Sequence, residues 1–232
     1  SQMLILLLLS AVVSLISFAF VVRLKGELDW PFRQWAAVPL KQVVRFKDNY
    51  RSREIFALDG FFLFLESYFW LLSLFLILKQ SFMQLGFMII AITVTLSLLF
   101  FVLKKKIDAL PEQSIYVISV VGYLASWLLR ARLDEDLSLV SQFLYLCAIA
   151  FLTALFRLAF NKRFYDLALH YPKAPYILMK SYYSQSALII FFGLLAAVYW
   201  HSDVLTMLNH AYVIAALLTP LYFIYKTRRK SL

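Results

Sequence analysis

Residues 58–78 read LDGFFLFLESYFWLLSLFLIL, and only two of these 21 positions hold an acidic side chain. Leucine and aromatic residues fill most of the others. A helix of about 20 apolar residues crosses the roughly 30 Å hydrocarbon layer of a bilayer. The stretch therefore predicts a membrane-spanning helix, and it sets the interpretation of the rest of the chain.

The whole chain has the composition of a membrane protein. Of its 232 residues, 63% are hydrophobic, and the mean hydropathy is +0.78. Soluble domains are about 45–50% apolar. The excess is grouped in long blocks, which excludes a soluble enzyme domain and a disordered tail. Cys147 is the only cysteine, so a disulfide scaffold is excluded as well.

Seven blocks are long enough to be spans, and they predict an all-α, polytopic helix bundle that forms one integral-membrane domain over residues 1–232. The predicted spans are residues 3–22, 58–78, 82–103, 114–129, 137–160, 186–200 and 204–225. The first block has no basic residue before it and no small-residue cleavage site after it, so it is predicted as a span rather than a signal peptide.

Lysine and arginine crowd every second connection between these blocks. The segments 23–57, 104–106, 157–185 and 226–230 together hold 20 of the 23 basic residues. Positive residues mark the cytoplasmic side of a membrane protein. The alternation predicts seven spans, with the N-terminus outside and the C-terminus in the cytoplasm.

A polar stripe runs along the second predicted span. Asp59, Glu66, Ser73 and Gln80 are spaced by seven residues, which drifts by only about 20° per step around a helix. One interpretation is a stripe turned into the bundle and satisfied by neighbouring hydroxyl groups. The other is a path for protons, ions or a polar headgroup.

Ionisable residues inside a span indicate function by default, because each costs at least about 2.5–3.5 kcal/mol at mid-membrane. Asp59 and Arg157 lie near the cytoplasmic ends of their predicted spans, so an Asp59–Arg157 ion pair is predicted. Glu66 lies about 12 Å deeper than the start of its span, at 1.5 Å per residue. We expect no basic residue level with it, which makes it the best single candidate for chemistry.

Two predicted cytoplasmic linkers carry interfacial residues. The linker 23–57 predicts an amphipathic helix on anionic headgroups, and its alternative is a docking surface for a partner. The linker 161–185 is rich in tyrosine, is predicted to be broken into two pieces by Pro172 and Pro175, and is predicted as interfacial or as a recognition surface. The predicted headgroup or partner contacts are Trp30, Trp35, Lys41, Arg45, Lys47, Lys104, Lys105 and Lys106.

On the predicted outer side, His201, Asp203 and His210 lie close together in the sequence. Two imidazoles and a carboxylate are ligands that a metal ion accepts. The ordinary alternative is a polar outer cap. No catalytic residue set and no cofactor are predicted, and no motif is specific enough to indicate a family.

These features favour a non-catalytic integral-membrane subunit or scaffold of a larger assembly. Continuous spans, five glycines and high aromatic content support that hypothesis. One alternative is a small transporter or proton-coupled protein that uses Glu66. Another is an enzyme that acts on a lipid or polyprenyl substrate. The predicted partners are membrane lipids and other membrane subunits rather than nucleic acid, and the predicted location is the inner or plasma membrane.

Overall fold

The computed structural model describes residues 40–78, 81–108, 111–133, 137–169, 173–198 and 204–225. Every regular element in these residues is helical, which confirms the all-α prediction. The α-helices are α1 (Leu40–Arg45), α2 (Ser52–Phe64), α3 (Trp70–Ile77), α4 (Phe82–Asp108), α5 (Glu112–Ala131), α6 (Leu139–Ala168), α7 (Lys173–Val198) and α8 (Val204–Leu218). A π-helical turn (Leu65–Phe69) joins α2 to α3, and a 3₁₀ helix (Thr219–Ile224) follows α8.

Five helical stretches are long and apolar enough to cross a bilayer, so the chain is a multi-pass integral membrane protein. They are Ser52–Ile77, Phe82–Leu103, Glu112–Ala131, Leu139–Ala168 and Thr206–Ile224. The first predicted span, residues 3–22, lies outside the described residues. Of the predicted span 186–200, the residues up to Val198 belong to α7, which is not one of the five stretches.

The segment 161–185 differs from the predicted linker. Helix α6 continues to Ala168, and α7 begins at Lys173, so most of the segment extends two long helices. Pro175 does not break α7 because it lies in the first turn, where a backbone N–H has no partner within the helix. The extension brings Lys180 and its neighbours into the bundle.

Proline also explains how the last helix changes. Pro220 has no N–H to donate to the carbonyl four residues earlier, and its ring crowds that carbonyl. The α-helical pattern ends at Leu218, and the chain continues as the 3₁₀ helix through Ile224. This change places Tyr222 in the core, where it is fully buried.

The core of the bundle is aromatic. The ring centroid of Phe62 lies 5.3 Å from those of Tyr123 and Tyr222 and 5.5 Å from that of Trp127. All four side chains are fully buried. Large rings hold these helices at a distance from one another, so a close approach is confined to sites with a small residue.

Helices α2 and α7 approach each other closely at Gly60. A Cβ atom at Gly60 would lie 2.5 Å from the Cα and carbonyl oxygen of Ser184. The Ser184 hydroxyl donates a hydrogen bond of 2.9 Å to the carbonyl of Phe56, one turn before Gly60. The glycine thus lets two backbones touch and sets the position of α7 against α2.

Candidate functional site

Four charged side chains meet inside the bundle: Asp59, Glu66, Arg157 and Lys180. We call this group the ionic cluster. Arg157, on α6, contacts Asp59 Oδ1 through Nη1, and its Nε lies 2.8 Å from Glu66 Oε2. Lys180, on α7, places Nζ 3.0 Å from Asp59 Oδ2. The stretch Ser52–Ile77 and helices α6 and α7 are therefore joined through charged groups.

Two tyrosine hydroxyl groups donate further hydrogen bonds to the carboxylates, whereas Asp59 Oδ2 has only its ion pair with Lys180. Tyr123, on α5, donates to Glu66 Oε1, and Tyr222, in the 3₁₀ helix, donates to Asp59 Oδ1 over 3.2 Å. The Tyr123 ring stacks on Phe156 with centroids 4.0 Å apart, which fixes the direction of its hydroxyl group. The ionic cluster and the two tyrosines together come from five segments of the bundle: Ser52–Ile77, α5, α6, α7 and the 3₁₀ helix.

The ionic cluster is balanced in charge. Its two carboxylates face one guanidinium and one ammonium group, so the ionised forms sum to zero. The side chain of Asp59 is fully buried, whereas those of Glu66 and Arg157 are 12% and 16% exposed. Buried ions recover their desolvation cost only with close partners and saturated hydrogen bonds. Arg157 serves this need because its planar fork contacts two acids at once.

Local structure positions Glu66. It lies within the π-helical turn Leu65–Phe69, where the backbone hydrogen bonds run from i to i+5 and the turn is wider. The prediction of a straight polar stripe requires 3.6 residues per turn along the whole helix, and the π turn has more residues per turn than that. The structure nevertheless places Ser73 in the interior, where its Oγ shares a hydrogen bond with the hydroxyl of Tyr212.

The structure brings Asp59 and Arg157 together, as the predicted ion pair requires. It differs from expectation at Glu66, because a basic side chain does contact that carboxylate. Arg157 reaches it across the interface between the π turn and α6. The error came from comparing the depths of backbone positions, whereas the arginine side chain is long enough to reach a deeper acid.

The sequence analysis missed Lys180, Tyr123 and Tyr222. Lys180 was counted with a linker, although Tyr176 and Ser184 lie four residues on either side of it. Residues four apart share a helix face, and both of these neighbours are buried. That spacing was the available signal for an inward-facing lysine.

A second buried cation lies on α5 away from the ionic cluster. The Arg130 guanidinium donates to Ser126 Oγ at 3.0 Å and to Thr153 Oγ1 at 2.8 Å. Its Cζ lies 4.2 Å from the Trp127 ring centroid and 5.0 Å from that of Trp70. Two indole faces stabilise the charge through cation–π contacts. Within the described part of the chain, Arg130 forms no ion pair.

A third buried arginine ties the ends of two helices. Arg163 donates to the carbonyl of Tyr225 and to Gln113 Oε1, both at 2.8 Å. Its Cζ lies 3.4 Å from the ring centroid of Tyr116. These contacts join α6, the start of α5 and the end of the 3₁₀ helix. Arg163 therefore stabilises the packing of these helices.

The predicted interfacial residues that can be placed are exposed. Lys41 and Arg45 lie on α1, and Lys47 follows it. The short helix is held by Val43, which is buried and accepts a hydrogen bond at its carbonyl from the hydroxyl of Tyr183. The described part of the predicted amphipathic linker thus has one face on the protein and one free face.

Of the three predicted metal ligands, only His210 lies within the described residues, and it is exposed on α8. No group of three or more histidine, cysteine, aspartate or glutamate side chains suited to a metal ion occurs among the described residues. Trp30, Trp35, Gln80, His201 and Asp203 lie outside them, and so do the side chains of Lys104, Lys105 and Lys106.

Comparison with family models, with curated proteins and with solved structures finds no match to this chain. The class of protein therefore follows from its own fold and site. It is a multi-pass integral membrane helix bundle whose interior holds a charge-balanced ionic cluster.

Proposed function

We propose that the chain is a non-catalytic integral-membrane subunit of a larger membrane assembly. The observation that carries this proposal is that every charged group of the ionic cluster is paired with an opposite charge within the cluster. Arg157 and Lys180 engage both carboxylates, and tyrosine hydroxyl groups take further acceptor positions. Groups engaged in this way hold helices together and leave little capacity to bind or turn over a substrate.

Helix α4 supports the same proposal. Only 11% of its most apolar stretch is buried, against 22–39% in the other four candidate spans. A cavity of about 640 Å³ lies between the starts of α4 and α6, with Phe87 and Phe143 among its lining residues. Large exposed apolar surfaces in a membrane protein face lipid or another subunit. We assign the α4 face, defined by Met83, Phe87, Ile90, Val94, Leu98 and Phe101, to a neighbouring subunit.

The proposal includes the full topology: seven spans, with the N-terminus outside and the C-terminus cytoplasmic. Its support is the alternation of basic residues, which stays in phase only if an odd number of helices crosses the membrane. The inner or plasma membrane is the proposed location. A cytoplasmic side near residues 41–53 agrees with the exposed basic residues there.

Truncation of the α4 face is expected to release the partner. The triple variant Phe87→Ala, Val94→Ala and Phe101→Ala removes exposed bulk from α4 and keeps it apolar. Central aromatic contacts carry most of an interface's binding energy, so we expect at least a tenfold loss of stoichiometric partner. The measurement is quantitative mass spectrometry of the tagged chain, purified from its native membrane in a mild detergent.

The matched control truncates exposed positions of another helix, Val117→Ala, Ile118→Ala and Val121→Ala on α5. It should keep the partner at the wild-type ratio. Purification of the wild-type chain without any stoichiometric membrane protein would contradict the proposal, and so would equal loss in both triple variants.

One observation favours a second function, proton-coupled transport through Glu66. This residue lies in a π-helical turn, and such turns occur frequently at functional sites. Transport predicts that Glu66→Gln abolishes proton flux in proteoliposomes, while Glu112→Gln, at an exposed position on α5, retains it. The subunit proposal instead predicts no flux above that of empty liposomes for the wild-type chain.

A further inference from the structure

A cleft opens where the chain enters its first described span. It has a volume of about 530 Å³ and is lined by Lys47, Asp48, Asn49, Arg51, Arg53 and Glu54. Helix α2 begins at Ser52 and continues as a span through Ile77. The cleft therefore lies at the level where a bilayer presents its headgroups, and it is separate from the ionic cluster.

Each acidic residue of the cleft has one polar contact within the protein, although Asp48 Oδ2 has no hydrogen-bond partner. Asp48 Oδ1 accepts a hydrogen bond of 2.9 Å from the backbone N–H of Ser52, in the first turn of α2. Glu54 pairs with Arg53 at 3.4 Å. Lys47 and Arg51 are exposed and form no ion pair with any described residue. The cleft thus presents two cationic groups that can face an anion.

The backbone at Arg51 is the second observation. Its φ of 58° and ψ of 36° lie in the left-handed region, and no other described residue, glycine included, has a positive φ. A side chain with a Cβ atom adopts this conformation at a cost, and such outliers cluster at functional sites. Glycine would occupy the position without strain, so arginine is the less favourable residue here for local stability.

We propose that this cleft binds the phosphate of an anionic glycerophospholipid headgroup, with Lys47 and Arg51 as its principal contacts. Guanidinium groups bind phosphate oxygens through paired, charge-assisted hydrogen bonds, and a lysine adds a compact charge. The acyl chains of such a lipid would run alongside α2 into the bilayer. A bound lipid would fix the point at which the span enters the membrane.

The test compares lipid binding to the full chain and to the double variant Lys47→Ala, Arg51→Gly. Native mass spectrometry in detergent counts bound phosphatidylglycerol and bound phosphatidylcholine during a titration. Each basic residue near a membrane surface contributes about fivefold in affinity, so the double variant should bind phosphatidylglycerol roughly thirtyfold more weakly. Phosphatidylcholine should bind weakly to both proteins.

Two controls separate binding from folding and from total charge. Arg51→Gly alone should leave the melting temperature unchanged or raise it, because it relieves the left-handed strain, and it should still weaken lipid binding about fivefold. The variant Arg132→Ala, Lys162→Ala removes the same charge at exposed positions elsewhere and should bind phosphatidylglycerol as the wild type does.

The result that supports the proposal is a selective loss of phosphatidylglycerol that 10 mM inorganic phosphate does not reproduce in the wild type. Displacement of the lipid by inorganic phosphate would assign the cleft to a free phosphate and overturn the lipid proposal. Equal affinity for the two lipids would overturn it as well, and so would equal loss in both double variants.

Discussion

Replacement of Arg157 by leucine is expected to lower the free energy of unfolding by about 3–5 kcal/mol, the cost of removing one partner from a buried ion pair. Arg157 contacts both Asp59 and Glu66, so its loss leaves two carboxylates facing one ammonium group. The measurement is equilibrium unfolding in mixed micelles of a mild detergent and dodecyl sulfate. The matched control, Lys162→Leu at an exposed position of α6, should change stability by less than about 0.5 kcal/mol.

Restoration of charge balance should recover part of the loss. In the double variant Arg157→Leu, Glu66→Gln, the cluster holds one carboxylate and one ammonium group, so we expect it to be more stable than Arg157→Leu alone. Replacement of a buried ion pair by uncharged groups costs less than removal of one of its members. If Arg157→Leu costs under 1 kcal/mol, or if Glu66→Gln adds fully to that cost, the cluster is not the coupled unit described above.

Substitution of Gly60 by alanine is expected to destabilise the protein by about 2–3 kcal/mol, at the upper end of the cost of overpacking. The new methyl group would lie 2.5 Å from backbone atoms of Ser184, and neither backbone can yield without moving a whole helix. Separation of α7 from α2 would also draw Lys180 away from Asp59. Unfolding in the same mixed micelles measures the cost.

Two other glycines provide matched controls for this substitution. Apart from its chain neighbours and the backbone of its own helix turn, no described residue lies within 4 Å of a Cβ atom built at Gly86 or Gly193. Alanine at either position should leave stability unchanged or raise it by up to about 1 kcal/mol, because alanine is the better helix former. A Gly60→Ala protein as stable as these controls would mean that the two helices do not touch at this point.

Much of the fold was predictable because a bilayer imposes a simple rule on composition. A run such as residues 58–78 has few stable alternatives to a transmembrane helix. The π turn at Leu65–Phe69 was not predictable, since it leaves the residue pattern unchanged. The start of α7 was missed because Pro175 reads as a break, and only its position in the first turn makes it compatible with a helix.

The residues of the site that are rare inside a membrane could be predicted from the sequence, and the common ones could not. Asp59, Glu66 and Arg157 stand out among apolar neighbours, since ionisable groups in spans are uncommon and costly. Tyr123 and Tyr222 do not stand out, because tyrosine occurs commonly both in cores and at interfaces, with or without a hydrogen bond to its hydroxyl group. Their roles depend on which helices become neighbours, and spacing along one helix carries no such information.

The wide separation of the ion-pair partners along the chain has a consequence for biosynthesis. Glu66 and Arg157 are 91 residues apart, which a ribosome translating about 5–20 residues per second covers in roughly 5–20 s. Throughout that interval the nascent segment carries Glu66 without the guanidinium that later pairs with it. An unpaired carboxylate is costly in hydrocarbon, so we expect the segment to settle at its final depth only after Arg157 has emerged.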